Sequence, residues 1–216
     1  MVDQDVILAE RQFLIKILQG LTNKQWQGDT LCAGWTVEDL VAHLIVRERG
    51  SILARAGIML PFLHDYHDGA IKNMKQISHV DMIERLSNPP GWAKRLSYNV
   101  VEFYVHNEDI LRGDLKQARV PSDELEWALS GFVVQLGRFA FRRVEGGFWL
   151  IIHDESSGSV HEWQVGKKSK NMPELDISAP VGELTLLFMG RGRHARVDVR
   201  GSEEAKRLYR LADVGV

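Results

Sequence analysis

Apolar residues recur at helical spacing through the first two thirds of the chain and at strand spacing only later. Ile7, Leu14, Ile17, Leu18 and Leu21 mark one face of a segment from about Asp5 to Leu21, with Gly20 near its end, and predict an amphipathic helix. Thr36 is a good N-cap with Asp39 three residues on, a short form of the capping box, and Val37, Leu40, Val41 and Leu44 make the buried face of the helix that follows, running to about Ala54. Between Gly57 and Gly69, Pro61 and two histidines suggest a loop that enters another helix near Ala70. Pro89-Pro90-Gly91 is a break, after which a helix from roughly Leu96 to Leu111 ends at Gly113. Pro121-Ser122-Asp123-Glu124 opens a further helix, with Leu125, Ala128, Leu129, Phe132, Val133, Leu136 and Phe139 as its apolar positions and Gly146-Gly147 as its stop.

The period then changes. Phe148 to His153 and Ser159 to Val165 read as short strands around a turn at Ser156-Ser157-Gly158, and Glu174 to Ser178 as another. Pro180 to Gly190 looks helical, Ala195 to Val199 alternates as a strand, and Ser202 caps a last helix carrying Ala205, Leu208, Tyr209 and Leu211. Helices first and mixed elements later predict an α+β protein, with an all-α domain over residues 1–145 and a small α+β domain over 146–216.

Composition narrows the class. The 216 residues are 44% hydrophobic and 26% charged, with net charge -2 and pI near 6.5, and carry no basic footprint for nucleic acid. No stretch is long and apolar enough to span a bilayer, and the acidic N-terminus is not expected to be a signal peptide. Cys32 is the single cysteine, so no intramolecular disulfide can form. The expectation is a cytoplasmic protein with neither nucleic-acid nor membrane partners.

One segment carries candidate chemistry. In VVEFYVHNEDI most positions are apolar, which predicts a helix buried on most sides. Asn99, Glu102, His106 and Asp109 nevertheless fall three or four residues apart, on one stripe. A buried polar stripe needs partners, and a metal ion could supply them through Glu102 and His106. An internal ion pair or a solvated face would satisfy the same spacing, and Asp39 with His43 repeats it. His43 lies at the edge of the apolar face of its own helix, as a core histidine or as a third ligand. Two histidines and a carboxylate form a ligand set for catalytic zinc, and also suit iron, nickel or manganese.

LCAGWTVEDLVAHLIVRE and NVVEFYVHNEDILRG together resemble motifs of the DinB-like, mycothiol-dependent maleylpyruvate isomerase superfamily, in its actinobacterial metal-binding branch. The tail GELTLLFMGRGRHARVDVRGSEEAKRL resembles that group's sterol-carrier-like C-terminal domain. The residue after the motif histidine, often a second histidine in that group, is Asn107 here. The resemblance implies an up-down four-helix bundle holding a divalent metal (Zn²⁺, or Ni²⁺ or Fe²⁺) on His43, Glu102 and His106. It further implies a thiol-dependent S-transferase or isomerase, with mycothiol as co-substrate and an electrophilic small molecule as substrate. The alternative is a non-catalytic metal- or small-molecule-binding module.

Around that core, Asn99 and Asp109 are candidates to orient an imidazole. Arg191, Arg193 and Arg196 could grip an anionic substrate or form a solvated surface. Cys32 is expected to be a small buried side chain rather than a nucleophile. His64, His67 and His79 fall in the irregular middle of the chain; the H-x2-H spacing of His64 and His67 can bind metal, but on a loop without a third ligand it is a weak signal.

Overall fold

The computed structural model of the chain describes residues 4–58, 60–143, 147–153, 158–166 and 174–212. Its contacts divide into two units, Met1–Arg119 and Val120–Val216.

The first unit is helical. α1 (Gln4–Gln19), α3 (Val37–Arg49), α6 (His79–Ser87) and α7 (Asn99–Arg112) are its main helices, joined by the short α2 (Asn23–Trp26) and α4 (Ile52–Ala56) and by α5 (His64–Met74). α1 packs on α6 and α7, and α3 packs on α5 and α6. The apolar stripes expected on the first two helices form the core: Leu14, Leu18, Leu40, Val41 and Leu44 are buried together with Met82, Leu86 and Phe103. α3 and α7 run antiparallel, because His43 faces His106 while Arg47, one turn later, faces Glu102 and Asn99.

Local chemistry explains the ends. Thr36 and Asp39 form a complete capping box at the start of α3. The helix stops at Arg49, short of the expected Ala54. Gly50 takes an extended conformation (φ -64, ψ 165), and the Ser51 side chain then caps α4 by accepting from Ala54 N. α5 begins at His64, inside the stretch expected to be a loop. Pro61 opens a 3₁₀ turn that leads into it, and a side chain at Gly69 would meet open space, so neither residue breaks the helix. His79 likewise sits in a helix, at the start of α6, with its ring stacked 4.0 Å from that of Trp26.

The second unit holds α8 (Asp123–Ala140), α9 (Val181–Leu186), α10 (Glu203–Leu211) and a four-stranded sheet. Its strands are β1 (Gly147–His153), β2 (Val160–Gln164), β3 (Glu174–Pro180) and β4 (Asp198–Gly201), in the order β2-β1-β3-β4. β1 and β3 are parallel, and the two outer pairings are antiparallel. Phe148, Leu150 and Ile152 alternate inward on β1, as do Leu175, Ile177 and Ala179 on β3. The α+β class is therefore as the pattern predicts.

The break between units lies at Arg119, not near Gly146, because α8 packs against α9 and its Gly137 approaches Leu150 of β1. Phe139, expected on the apolar face of α8, is 63% exposed and lies under the Arg142 guanidinium. β4 is displaced toward Ser202 from the expected Ala195 to Val199, since its ladder with β3 pairs Val199 with Ile177 and ends at Gly201. α9 ends at Leu186 and continues as one wide turn to Arg191, where Gly190 (φ 85) stops the helix. The turn residues Ser156 and Ser157 and the stop at Gly146 lie outside the described residues.

Candidate metal centre

α7 presents Glu102 and His106 on one stripe, and α3 presents His43 toward them. One potential ligand atom from each of the three lies within 4.8 Å of the other two. Nε2 of His106 is 3.5 Å from Oε2 of Glu102. Two donors bound to one zinc ion at a tetrahedral angle stand about 3.4 Å apart, so this pair has the spacing of co-ligands. His43 and His106 are each 7% exposed, and their rings are 5.4 Å apart.

Each ligand candidate has a partner of its own. His106 donates from Nδ1 to Oδ2 of Asp109, 2.9 Å away, which leaves Nε2 for the cluster. Asp109 is fully buried and also accepts from the Cys32 thiol at 3.2 Å. Cys32 is partly buried and packs against the helical core, as expected of a small side chain, and its thiol also lies in a group with His106 and Asp109. His43 has its Nδ1 2.9 Å from Nε2 of His67, a buried residue that lies on α5 and not in the irregular chain expected for it. Glu102 pairs with Arg47 at 3.6 Å. Asn99, expected to orient an imidazole, instead accepts from Arg47 Nη1 at 2.6 Å and donates to the Ala93 carbonyl.

The electrostatics follow from burial and these partners. Burial, reinforced by the charge of His106, pushes His43 down to about 3 and keeps it neutral. Burial acts to raise Glu102, but His106 and Arg47 outweigh it and hold the carboxyl at about 2. Burial also opposes charge on His106, yet its bonds to Asp109, Cys32 and Glu102 raise it well above the usual histidine value. A neutral imidazole, a carboxylate and a histidine held between carboxylates suit a divalent cation, whose arrival would displace one proton.

The other sequence candidates lie elsewhere. Asp39 serves the α3 cap and pairs with Lys75. Asn107 turns toward α1 and donates to Glu10, so the position after the motif histidine is not part of the cluster. His64 is exposed on α5. Arg191, Arg193 and Arg196 belong to the second unit; Arg191 folds back on the Met189 carbonyl, and Arg193 and Arg196 are exposed. Beside the cluster, Trp35 lies 5.1 Å from the His43 ring and also lines an open cleft of about 400 Å³ with Asp39, Lys72, Lys75 and Gln76.

Residues 7–61 match the family model described as the mycothiol maleylpyruvate isomerase N-terminal domain. Two crystal structures of the mycothiol-dependent maleylpyruvate isomerase, one a histidine-to-alanine mutant, share the fold. The mutant aligns with a TM-score of 0.59 at 14% identity, and the other with 0.56 at 15%. Each alignment covers 93% of this chain and 92% of the isomerase. The matched segment and the fold are similar to those of the mycothiol-dependent maleylpyruvate isomerase. A comparison with curated proteins finds no match. The matched segment includes Cys32 and His43, while Glu102 and His106 lie beyond it.

Proposed function

We propose that the chain binds one divalent metal ion, zinc on the character of its donors, through His43, Glu102 and His106. We propose further that it uses the site for chemistry of a low-molecular-weight thiol. The observation that carries this reading is the convergence of two imidazoles and a carboxylate from two helices, with Asp109 already fixing one imidazole. A bound zinc ion would stabilise a thiol as its thiolate, the nucleophilic form.

The chain's own groups supply the rest. Asp109 and Glu102 hold His106 between them, and Arg47 sets Glu102 against α3. Trp35, 5.1 Å from the His43 ring, also lines the neighbouring cleft. Family and fold favour mycothiol as the thiol and isomerisation of a maleylpyruvate-like cis-alkene as the reaction. Such an isomerisation proceeds by addition of a thiolate, rotation about the carbon–carbon bond and expulsion of the same thiolate, with no net redox change.

Elemental analysis of the full-length protein beside a His43→Ala/His106→Ala variant tests the site. About one zinc per chain, lost in the variant, is expected. Mycothiol-dependent loss of maleylpyruvate absorbance by the zinc-loaded protein then tests the reaction. Zinc without turnover would reduce the protein to a binding module. No metal in the wild type after reloading would refute the site.

A further inference from the structure

We propose that His67 is a positioning residue of this site, fixing the tautomer and ring orientation of His43 so that its Nε2 faces Glu102 and His106. The inference rests on the metal-site reading for its function, but its geometry stands alone. Nδ1 of His67 lies 3.0 Å from the carbonyl oxygen of Ala54. A carbonyl can only accept, so this nitrogen carries the proton. With a single proton on the ring, Nε2 of His67 is then an acceptor, and it sits 2.9 Å from Nδ1 of His43. Two ring nitrogens at that distance share one proton, which must reside on Nδ1 of His43. A neutral imidazole has one N–H, so the lone pair of His43 is on Nε2, the nitrogen left for the cluster.

The chain from Ala54 through His67 to His43 is buried at both rings, 5% and 7% exposed, so water does not compete for its donors and acceptors. The rings meet edge-on, 80° apart with centroids at 5.1 Å, and do not stack, which leaves the in-plane N–H and lone pair able to meet. Ala54 can serve because α4 ends at Ala56. The following N–H groups of Gly57 and Ile58 bond to Leu53 and Arg55, and among the described residues no main-chain N–H takes the Ala54 carbonyl. His43 thus receives from His67 what His106 receives from Asp109: a fixed tautomer, here supplied by an imidazole in place of a carboxylate.

The first test uses the wild-type, full-length, metal-free protein labelled with ¹⁵N. Its two-bond ¹⁵N–¹H spectrum is expected to show His43 as the Nδ1–H tautomer; the Nε2–H tautomer there overturns the proposal without any variant. The second compares zinc affinity, by chelator competition, among wild type, His67→Leu and His67→Gln, with unfolding midpoints measured alongside. Loss of the acceptor in His67→Leu is expected to weaken zinc by about 10–100-fold. His67→Gln, whose amide oxygen can accept from Nδ1 of His43, is expected to recover most of it. Both variants binding as wild type, while His106→Ala binds no zinc, overturns the proposal. Should the wild type bind no zinc, the metal reading falls, and the tautomer spectrum still decides whether His67 orients His43.

Discussion

Arg11 of α1 and Glu48 of α3 form a two-pronged ion pair with both side chains 2% exposed, one prong being the 3.0 Å bond from Nη1 to Oε2. The same guanidinium donates to the Leu86 carbonyl at the end of α6 and lies over the Phe103 ring of α7. One side chain therefore touches all four main helices of the first unit. Removing one partner leaves the other charge buried alone, which costs about 3–5 kcal/mol. Arg11→Met is expected to lose that much in urea unfolding. An Arg11→Met/Glu48→Leu double variant is expected to regain most of it, since no charge is then stranded. Equal losses in single and double variants would contradict this account.

Asp109 accepts from both His106 and Cys32, so its removal takes away the carboxylate that fixes Nδ1 of His106. Asp109→Ala is expected to lower zinc affinity by about 10–100-fold in chelator competition. Cys32→Ser keeps a donor to Asp109 and is expected to retain the metal. Zinc held by Asp109→Ala as tightly as by wild type would dismiss Asp109 as the support of His106.

The acid side of the stability curve should depend on Asp39. Burial acts to raise its carboxyl, but the Lys75 ammonium and the Thr36 hydroxyl and N–H bring it below the ordinary value of 3.8. A folded value below the unfolded one adds stability that is present above 3.8 and lost as the pH falls through the folded value. Asp39→Asn removes that contribution, so its unfolding midpoint should fall less steeply in acid than that of wild type. Parallel curves for the two proteins would show that Asp39 gives no linkage.

Gly113 closes α7 where the chain leaves no room for a side chain. A Cβ there would stand 2.3 Å from the Asp29 carbonyl oxygen and 2.9 Å from that of Asp109. Both are main-chain atoms and cannot swing aside. Gly113→Ala is expected to destabilise the protein by about 2 kcal/mol in chemical denaturation, and an unchanged midpoint would refute the close approach.

The part of the site that was readable from sequence is the part written in one helix. Glu102, His106 and Asp109 fall on a stripe because the helical period puts them there, and the apolar residues between them say that the stripe is buried. His43 was visible as an oddity beside Leu40 and Leu44, but that it faces Glu102 depends on how α3 packs, which periodicity does not encode. His67 was hidden for a different reason. Pro61 and Gly69 read as loop punctuation, whereas the proline starts a turn and the glycine sits where no side chain is needed. The only signal was the spacing of His64 and His67, and it pointed to the wrong pair, since His64 is exposed. The displaced unit boundary has the same origin: the apolar stripe of α8 says that something covers it, not that α9 and the sheet do.

The short α4 gives the site a dependence that no inventory of side chains records. Ala54 anchors His67 with a main-chain oxygen, so no substitution at position 54 that keeps the backbone in place can delete the anchor. What can delete it is an extra turn of helix, which would hand that oxygen to an amide four residues on. The information for one imidazole is thus held in where a helix stops. Two chains with the same histidines and glutamate could differ in their grip on a metal through the length of a segment that never approaches it.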